Sequence, residues 1–339
     1  MKRLVMAVLT AAASPCVTAA TLYVDYENGT AAEESATFKT LAYAVGKANP
    51  NDEIVLAKGT HVLAGGTVTV GVPLTIRGEG ENWETILVSD KTVRTFGFTK
   101  ASADGSLLHN LTLAGSKSPE DNYSEIYLQP NCAMTVSNVV YRSVGANPTA
   151  CTKSNLIYNE ASPTFKNFWM TNCLLNAYGV YLRTGPHLFE NCVFSNNRTT
   201  VAGNVFYAGW CTPVIRHCTF ANNRLYSGAA FFVTSGYAAK LENSIVWGNI
   251  SEDTGLENNT SVTIATTKTF KNVCTRPIDG WNGTGHVAQD PCVAADGYTV
   301  SLASSCRGAA DPTCTTEFDI LGTPRGAKPT IGAYQQPVA

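Results

Sequence analysis

The chain has 339 residues, a formal net charge of −2 and only 15% charged residues, where a soluble domain ordinarily carries about a quarter. That balance excludes the basic footprint of a nucleic-acid binder. The polar surface must come from Asn, Thr, Ser and Gly, a mixture suited to short strands with many turns.

Residues 1–20, MKRLVMAVLTAAASPCVTAA, place Lys2 and Arg3 before an apolar run and then small residues. This is the pattern of a secretory signal peptide ending at Ala20, with Thr18 and Ala20 at the small-residue positions. Cys16 follows Pro15, which argues against a lipid anchor. No later run is apolar for about 18 residues, so no membrane span is expected. Without the leader there remain 22 basic residues (24 less Lys2 and Arg3) against 26 acidic ones, a net charge of −4. Ten of the eleven cysteines also remain. An even number in an exported chain predicts disulfides, with Cys306–Cys314 the one pair that shares a loop-like stretch. No Cys or His spacing suggests structural metal.

TFKTLAYAVGKANPNDEIVLAKGTHVL follows, predicting an amphipathic helix over residues 37–48 and then a strand. Beyond it the chain repeats. HLFENCVFSNNR at 187–198 and PVIRHCTFANNR at 213–224 lie 26 residues apart, and AKLENSIVWGNI at 239–250 keeps the interval. Upstream, Phe165-Lys166-Asn167-Phe168, Val136-Ser137-Asn138-Val139 and Leu108-His109-Asn110-Leu111 share the form apolar–polar–Asn–apolar, with successive steps of 28, 29, 24, 26 and 26 residues. Periods of roughly 20–50 residues mean stacked repeats. Each unit holds short alternating segments punctuated by Gly, Asn and Pro, which read as strands.

Coils of three short strands stacked about 4.8 Å apart give each strand a parallel partner above and below. The expected fold is therefore all-β: a right-handed parallel β-helix over residues 21–285, with an N-terminal helix capping the exposed end. Asn at a shared corner fits a ladder in the left-handed conformation. Leu111, Val139, Phe168, Cys192 and Cys218, one residue later, should point inward, the cysteines as small core hydrophobes.

The strand upstream of each corner carries the candidate site. Alternation assigns Leu156, Val180 and Val205 to the core and Ile157, Tyr181, Phe206 and Phe231 to the outer face. Such a column would suit sugar stacking, and a one-residue slip would exchange the faces. Tyr181, Arg183, Phe206 and Phe231 are thus the ligand-binding candidates. Charges near them are sparse: Glu160, Arg183, His187 and Arg216. Elimination from an acidic polysaccharide needs a base and a cation facing the uronate, and hydrolysis needs two carboxylates about 5–9.5 Å apart. No carboxylate pair recurs. The catalytic candidates reduce to Arg183 with Glu160, and to His187 in Gly185-Pro186-His187, against plainer readings as a surface ion pair and an exposed turn histidine. Asp121, Asp253, Asp279 and Asp290 lack a Ca²⁺-site spacing, and no cofactor is expected.

FKTLAYAVGKANPNDEIVLAKGTH resembles the opening segment of secreted pectate-lyase-like right-handed β-helix proteins. ENSIVWGN at 242–249 is similar to a recurrent coil of bacterial surface proteins related to the polymorphic outer-membrane family. HVAQDPCVAADGYTVSLASSC and FDILGTPRGAKPTIGAYQ resemble the C-terminal module called choice-of-anchor Q, here residues 286–339 and expected to continue the β-helix. That module usually ends Asp-Ile-Gly-Ala-Tyr-Glu, where this chain reads Thr330-Ile331-Gly332-Ala333-Tyr334-Gln335. The resemblance implies the fold and an exported or surface setting, and it leaves activity open. Members often carry an anchoring tail, whereas this chain ends at Ala339, so a freely exported or periplasmic protein is expected. Three functions remain: a non-catalytic, adhesin-like protein binding a polysaccharide or cell-surface glycan, expected first; a polysaccharide lyase or epimerase; and a structural spacer.

Overall fold

The computed structural model describes residues 18–29, 37–63, 67–89, 96–98, 101–115, 126–129, 132–143, 155–159, 161–175, 177–234, 238–262, 269–278 and 283–337, and all that follows concerns those residues. The signal peptide falls almost wholly outside them. The described strands form three sheets of 17, eight and four strands. Neighbours pair in parallel, as where Val136 lies between Leu108 and Phe165. The chain is a right-handed parallel β-helix.

The Asn corner shapes the coil. Asn110, Asn138, Asn167, Asn191, Asn243 and Asn272 have φ between 48 and 56°, with His217 at 50° in the same series. Asn tolerates this left-handed conformation better than most residues because its short amide bonds locally. In early coils one long strand runs through the corner, as in Leu107–Gly115 and Thr135–Ser143. In later coils the corner divides it, as in Pro186–Glu190 and Val193–Ser195. Leu111, Val139, Phe168, Cys192 and Cys218 are all buried, as their place after the corner requires.

A second left-handed corner follows at Asn172, Asn196 and Asn222. The residue after it builds an interior amide ladder: Asn197 Nδ2 donates to Asn223 Oδ1 (3.0 Å), Asn223 to Asn249 (2.7 Å) and Asn249 to Asn259 (2.9 Å). The doubled Asn of the repeat therefore has two tasks, one turning the chain and one satisfying buried polar groups. Inside, phenyl rings stack at the strand spacing of about 4.8 Å: Phe165 on Phe189 at 4.8 Å and Phe194 on Phe220 at 4.7 Å. Outside, the first sheet carries in-register charges of alternating sign, Lys166, Glu190, Arg216, Glu242 and Lys271. Arg216 bridges both carboxylate neighbours at 3.1 Å.

At the N-terminal end the helix is Leu41–Lys47, shorter than expected because Thr37–Phe38 joins the sheet. Thr40 caps it, and Leu41 and Ala44 bury its inner face over the first coils.

At the other end the expectation fails. The coil continues only to Val287, which bridges Cys274. The chain then turns back along the flank instead of adding coils, and it docks on the Asn corner. Arg325, buried at 2% exposure, donates from Nη2 to Asn191 Oδ1 (2.9 Å) and to the carbonyls of Gly332 and Ala333 (3.0 Å each). His217 Nδ1 donates to Gly332 O (3.2 Å), and Asn243 Nδ2 donates to its Nε2 (3.1 Å). Gly332 lies so close to the wall that a Cβ would meet Ile245 Cδ1 at 2.6 Å, and its φ of 103° disfavours a side chain in any case. The repeat pattern cannot foretell this strap, because its partners lie 115 and 134 residues away in sequence.

The expected Cys306–Cys314 bridge is not formed. Cys306 lies in the buried cluster with Ile245 and Ile331, and its hydrogen bond to Cys274, followed by burial, raises the Cys274 thiol pKa. Cys314 sits instead against the Asn243 amide at 3.5 Å. Cys151 lies outside the described residues.

Candidate functional site

The outward column of the second sheet differs by one residue from the sequence reading. Val180 pairs with Phe206, not Val205, and Phe206 with Phe231. Phe206 and Phe231 therefore face the core, both at 0% exposure. The error is a one-residue slip, which exchanges the two faces of a strand. Tyr181 does lie outward, in register with Tyr127, Tyr158, Tyr207 and Phe232. Its ring stacks on Tyr207 at 4.9 Å and 8°, and Tyr207 stacks on Phe232 at 4.9 Å and 3°. Rings in this arrangement cover one another's faces and present mainly edges to solvent.

Arg183 caps this region with its guanidinium 5.5 Å from the exposed Trp210 ring. Glu160, its expected partner, lies outside the described residues, as do the side chains of Leu156 and Ile157. His187 is not an exposed turn residue. It sits at 2% exposure in the strand Pro186–Glu190, and burial pushes its pKa down to about 4. Arg216 belongs to the charge ladder of the first sheet.

A concave site exists elsewhere, a groove of about 610 Å³ on the flank at the Asn corner, within the range of about 300–1,000 Å³ usual for ligand sites. The corner supplies its floor through His109, Ser137, Asn138, Asn167, Trp169 and Thr171. One wall is the turn holding Glu81, Asn82 and Trp83, and the other is the strap at Tyr298 and Ile320–Gly322. The turn is pinned on three sides. Glu81 N donates to Glu84 Oε2 (2.7 Å), Lys58 pairs with Glu84 (2.9 Å), and Thr112 Oγ1 donates to Asn82 O (2.8 Å). Holding Asn82 inward at 4% exposure leaves Trp83 outward at 65%. Opposite, Trp169 and Tyr298 pack on a small cluster of Val193, Ile320 and Ala333.

Amides line the floor in a polarised chain. Asn110 Nδ2 donates to Gly78 O (3.4 Å) and to Gly80 O, Asn138 Nδ2 to Asn110 Oδ1 (2.6 Å), and Asn82 Nδ2 to Asn138 Oδ1 (2.9 Å). Asn82 Oδ1 and Asn167 Oδ1 are buried without a protein partner. Glu81, His109 and Tyr298 are the titratable groups among the described lining residues, and burial first raises the Tyr298 pKa. This arrangement can hold a ligand by aromatic contact and hydrogen bonding. A paired-carboxylate hydrolysis site is not formed by the described lining residues. The groove was absent from the sequence reading, and its only local signal was tryptophan, Trp83 in a polar turn and Trp169 on a solvent-side position.

Residues 155–287, the regular coils up to the start of the strap, match the family described as right handed beta helix region. No curated protein sequence matches the chain. Among solved structures it is similar to pectate lyase Pel9A, with 15% identity, a TM-score of 0.43, and 94% of this chain and 97% of that chain covered. Pectin methylesterase PemA from Erwinia chrysanthemi shows 12% identity, a TM-score of 0.32 and coverage of 75% and 78%. PL6 family alginate lyase AlyGC shows 10%, 0.21, and 94% and 59%. At these values the likeness carries no inference about chemistry. Among the described residues no helix is long and apolar enough to cross a membrane.

Proposed function

We propose that this is an exported β-helix protein that binds a polysaccharide without cleaving it, and that the groove at the Asn corner is where it does so. The supporting observation is the pairing of the exposed Trp83 ring with buried amide oxygens, Asn82 Oδ1 and Asn167 Oδ1, that lack a protein partner. Sugars present both an apolar C–H face and hydroxyl donors, so they suit a site of this composition. A lyase would concentrate a base and a cation beside the aromatic rings. Here Arg183 sits over Trp210 and His187 is buried in the adjoining strand.

Retention on immobilised neutral and acidic polysaccharides, with a parallel assay for unsaturated and reducing ends, tests this. The expected result is retention without new ends, reduced about tenfold (~1.4 kcal/mol) by Trp83→Ala. That variant should melt like the parent, since Trp83 is 65% exposed. Retention indifferent to both Trp83→Ala and Trp169→Leu would place binding outside the groove. New ends would make the protein an enzyme.

A further inference from the structure

We infer that the groove takes an uncharged sugar offering hydroxyl or amide N–H donors, and that it disfavours a uronate. This rests on the groove being the glycan site.

The amide chain fixes its own direction. A backbone carbonyl only accepts, so the Asn110 amide must turn its NH₂ toward Gly80 O and Gly78 O. Its oxygen then faces the Asn138 NH₂, and the Asn138 oxygen faces the Asn82 NH₂. The chain ends on Asn82 Oδ1, a buried acceptor that no protein donor reaches. Asn167 Oδ1, from the neighbouring coil, is a second acceptor in the same condition. Glu81 adds carboxylate oxygens. Ser137 and Thr171 hydroxyls can act either way.

The buried amide oxygens and the Glu81 carboxylate therefore only accept, so the ligand must supply their donors, while the indole N–H groups of Trp83 and Trp169 can donate in turn. A buried acceptor left unmet is unfavourable, and a ligand hydroxyl or acetamido N–H placed there relieves it. A uronate carboxylate brings two more acceptors and a negative charge beside Glu81. No Lys or Arg is among the described lining residues to receive it. Desolvating that carboxylate without a partner opposes binding.

Calorimetric titration of the full protein separates the possibilities. The probes are length-matched oligosaccharides of glucose, xylose, mannose and N-acetylglucosamine, and oligomers of galacturonate and mannuronate. At least one neutral series should bind ten-fold or more tighter than either uronate series, with affinity unchanged between low and high salt. Trp83→Ala should reduce that binding about tenfold. Glu81→Gln leaves the buried amide chain intact, and it should narrow the neutral-to-uronate ratio several-fold. Tighter uronate binding that Trp83→Ala removes would overturn the ligand class while leaving the groove as a glycan site. Absence of any Trp83-dependent binding would remove the groove reading, and this inference with it.

Discussion

On the second sheet Tyr181, Tyr207 and Phe232 stack ring on ring at 4.9 Å, whereas at the corner Trp83 stands at the rim of a groove, 65% exposed. Both surfaces are aromatic, and they differ in what the repeat does to them. In-register coils place equivalent side chains at the strand spacing, which suits ring-on-ring packing and leaves little ring face for a ligand. The groove arises where repetition is interrupted, by the turn at Glu81–Trp83 on one side and by the strap at Tyr298 on the other. In this solenoid the regular surface stabilises, and the irregular flank forms the concavity.

The largest test of that division is Phe206→Ala. Phe206 touches the rings of Phe189, Phe194, Phe220 and Phe231 at 5.0–5.8 Å between centroids. Truncating a buried phenylalanine costs about 3–5 kcal/mol, so urea unfolding should shift strongly. A loss below about 1 kcal/mol would return Phe206 to the outer face and restore the column as first read.

Acid should weaken the fold next. His187 is held neutral, with a pKa of about 4 in place of 6.5. The unfolded chain then binds the extra proton between those values, so the histidine's contribution is complete above pH 6.5 and declines as pH falls to about 4. At about 1.36 kcal/mol per unit, the full loss is about 3 kcal/mol. His217 shifts in the same direction, burial first and Arg325 second, so the strap side should also weaken as pH falls below 6.5. The slope of unfolding free energy against pH between 6.5 and 4 should flatten in His187→Gln. An unchanged slope would show that His187 titrates as an exposed residue.

How far the sequence carried this result depends on the distance over which each feature is encoded. Asn110, Asn138, Asn167, Asn191 and Asn243 announced the corner because a left-handed residue is a local demand that recurs with the coil. Phe168, Cys192 and Cys218 followed from it as core positions. Phe206 did not, because coil length varies and one miscounted residue exchanges inside for outside. The groove was illegible for a different reason. Asn82, Asn138, Trp169 and Tyr298 come from three distant segments, joined by a strap whose anchor, Arg325 on Asn191, spans 134 residues.

Tyr207→Ala separates the two aromatic surfaces directly. Removing two stacked partners should lower stability by roughly 1–3 kcal/mol, while glycan retention stays at the parental level. Loss of retention with stability preserved would make the column the binding face.

Arg183→Ala is the smallest expected change and the most pointed. In the lyase reading this side chain is the base, and its removal would abolish elimination. The structure places it beside the Trp210 ring at 5.5 Å, and a cation–π contact of that kind at an exposed site contributes about 0.5–1 kcal/mol. The variant should therefore unfold at nearly the parental denaturant concentration and retain glycan unchanged. A protein that forms unsaturated ends, and stops doing so in Arg183→Ala, would move the chemistry onto the tyrosine face. The groove would then need another purpose for its two unpartnered amide oxygens.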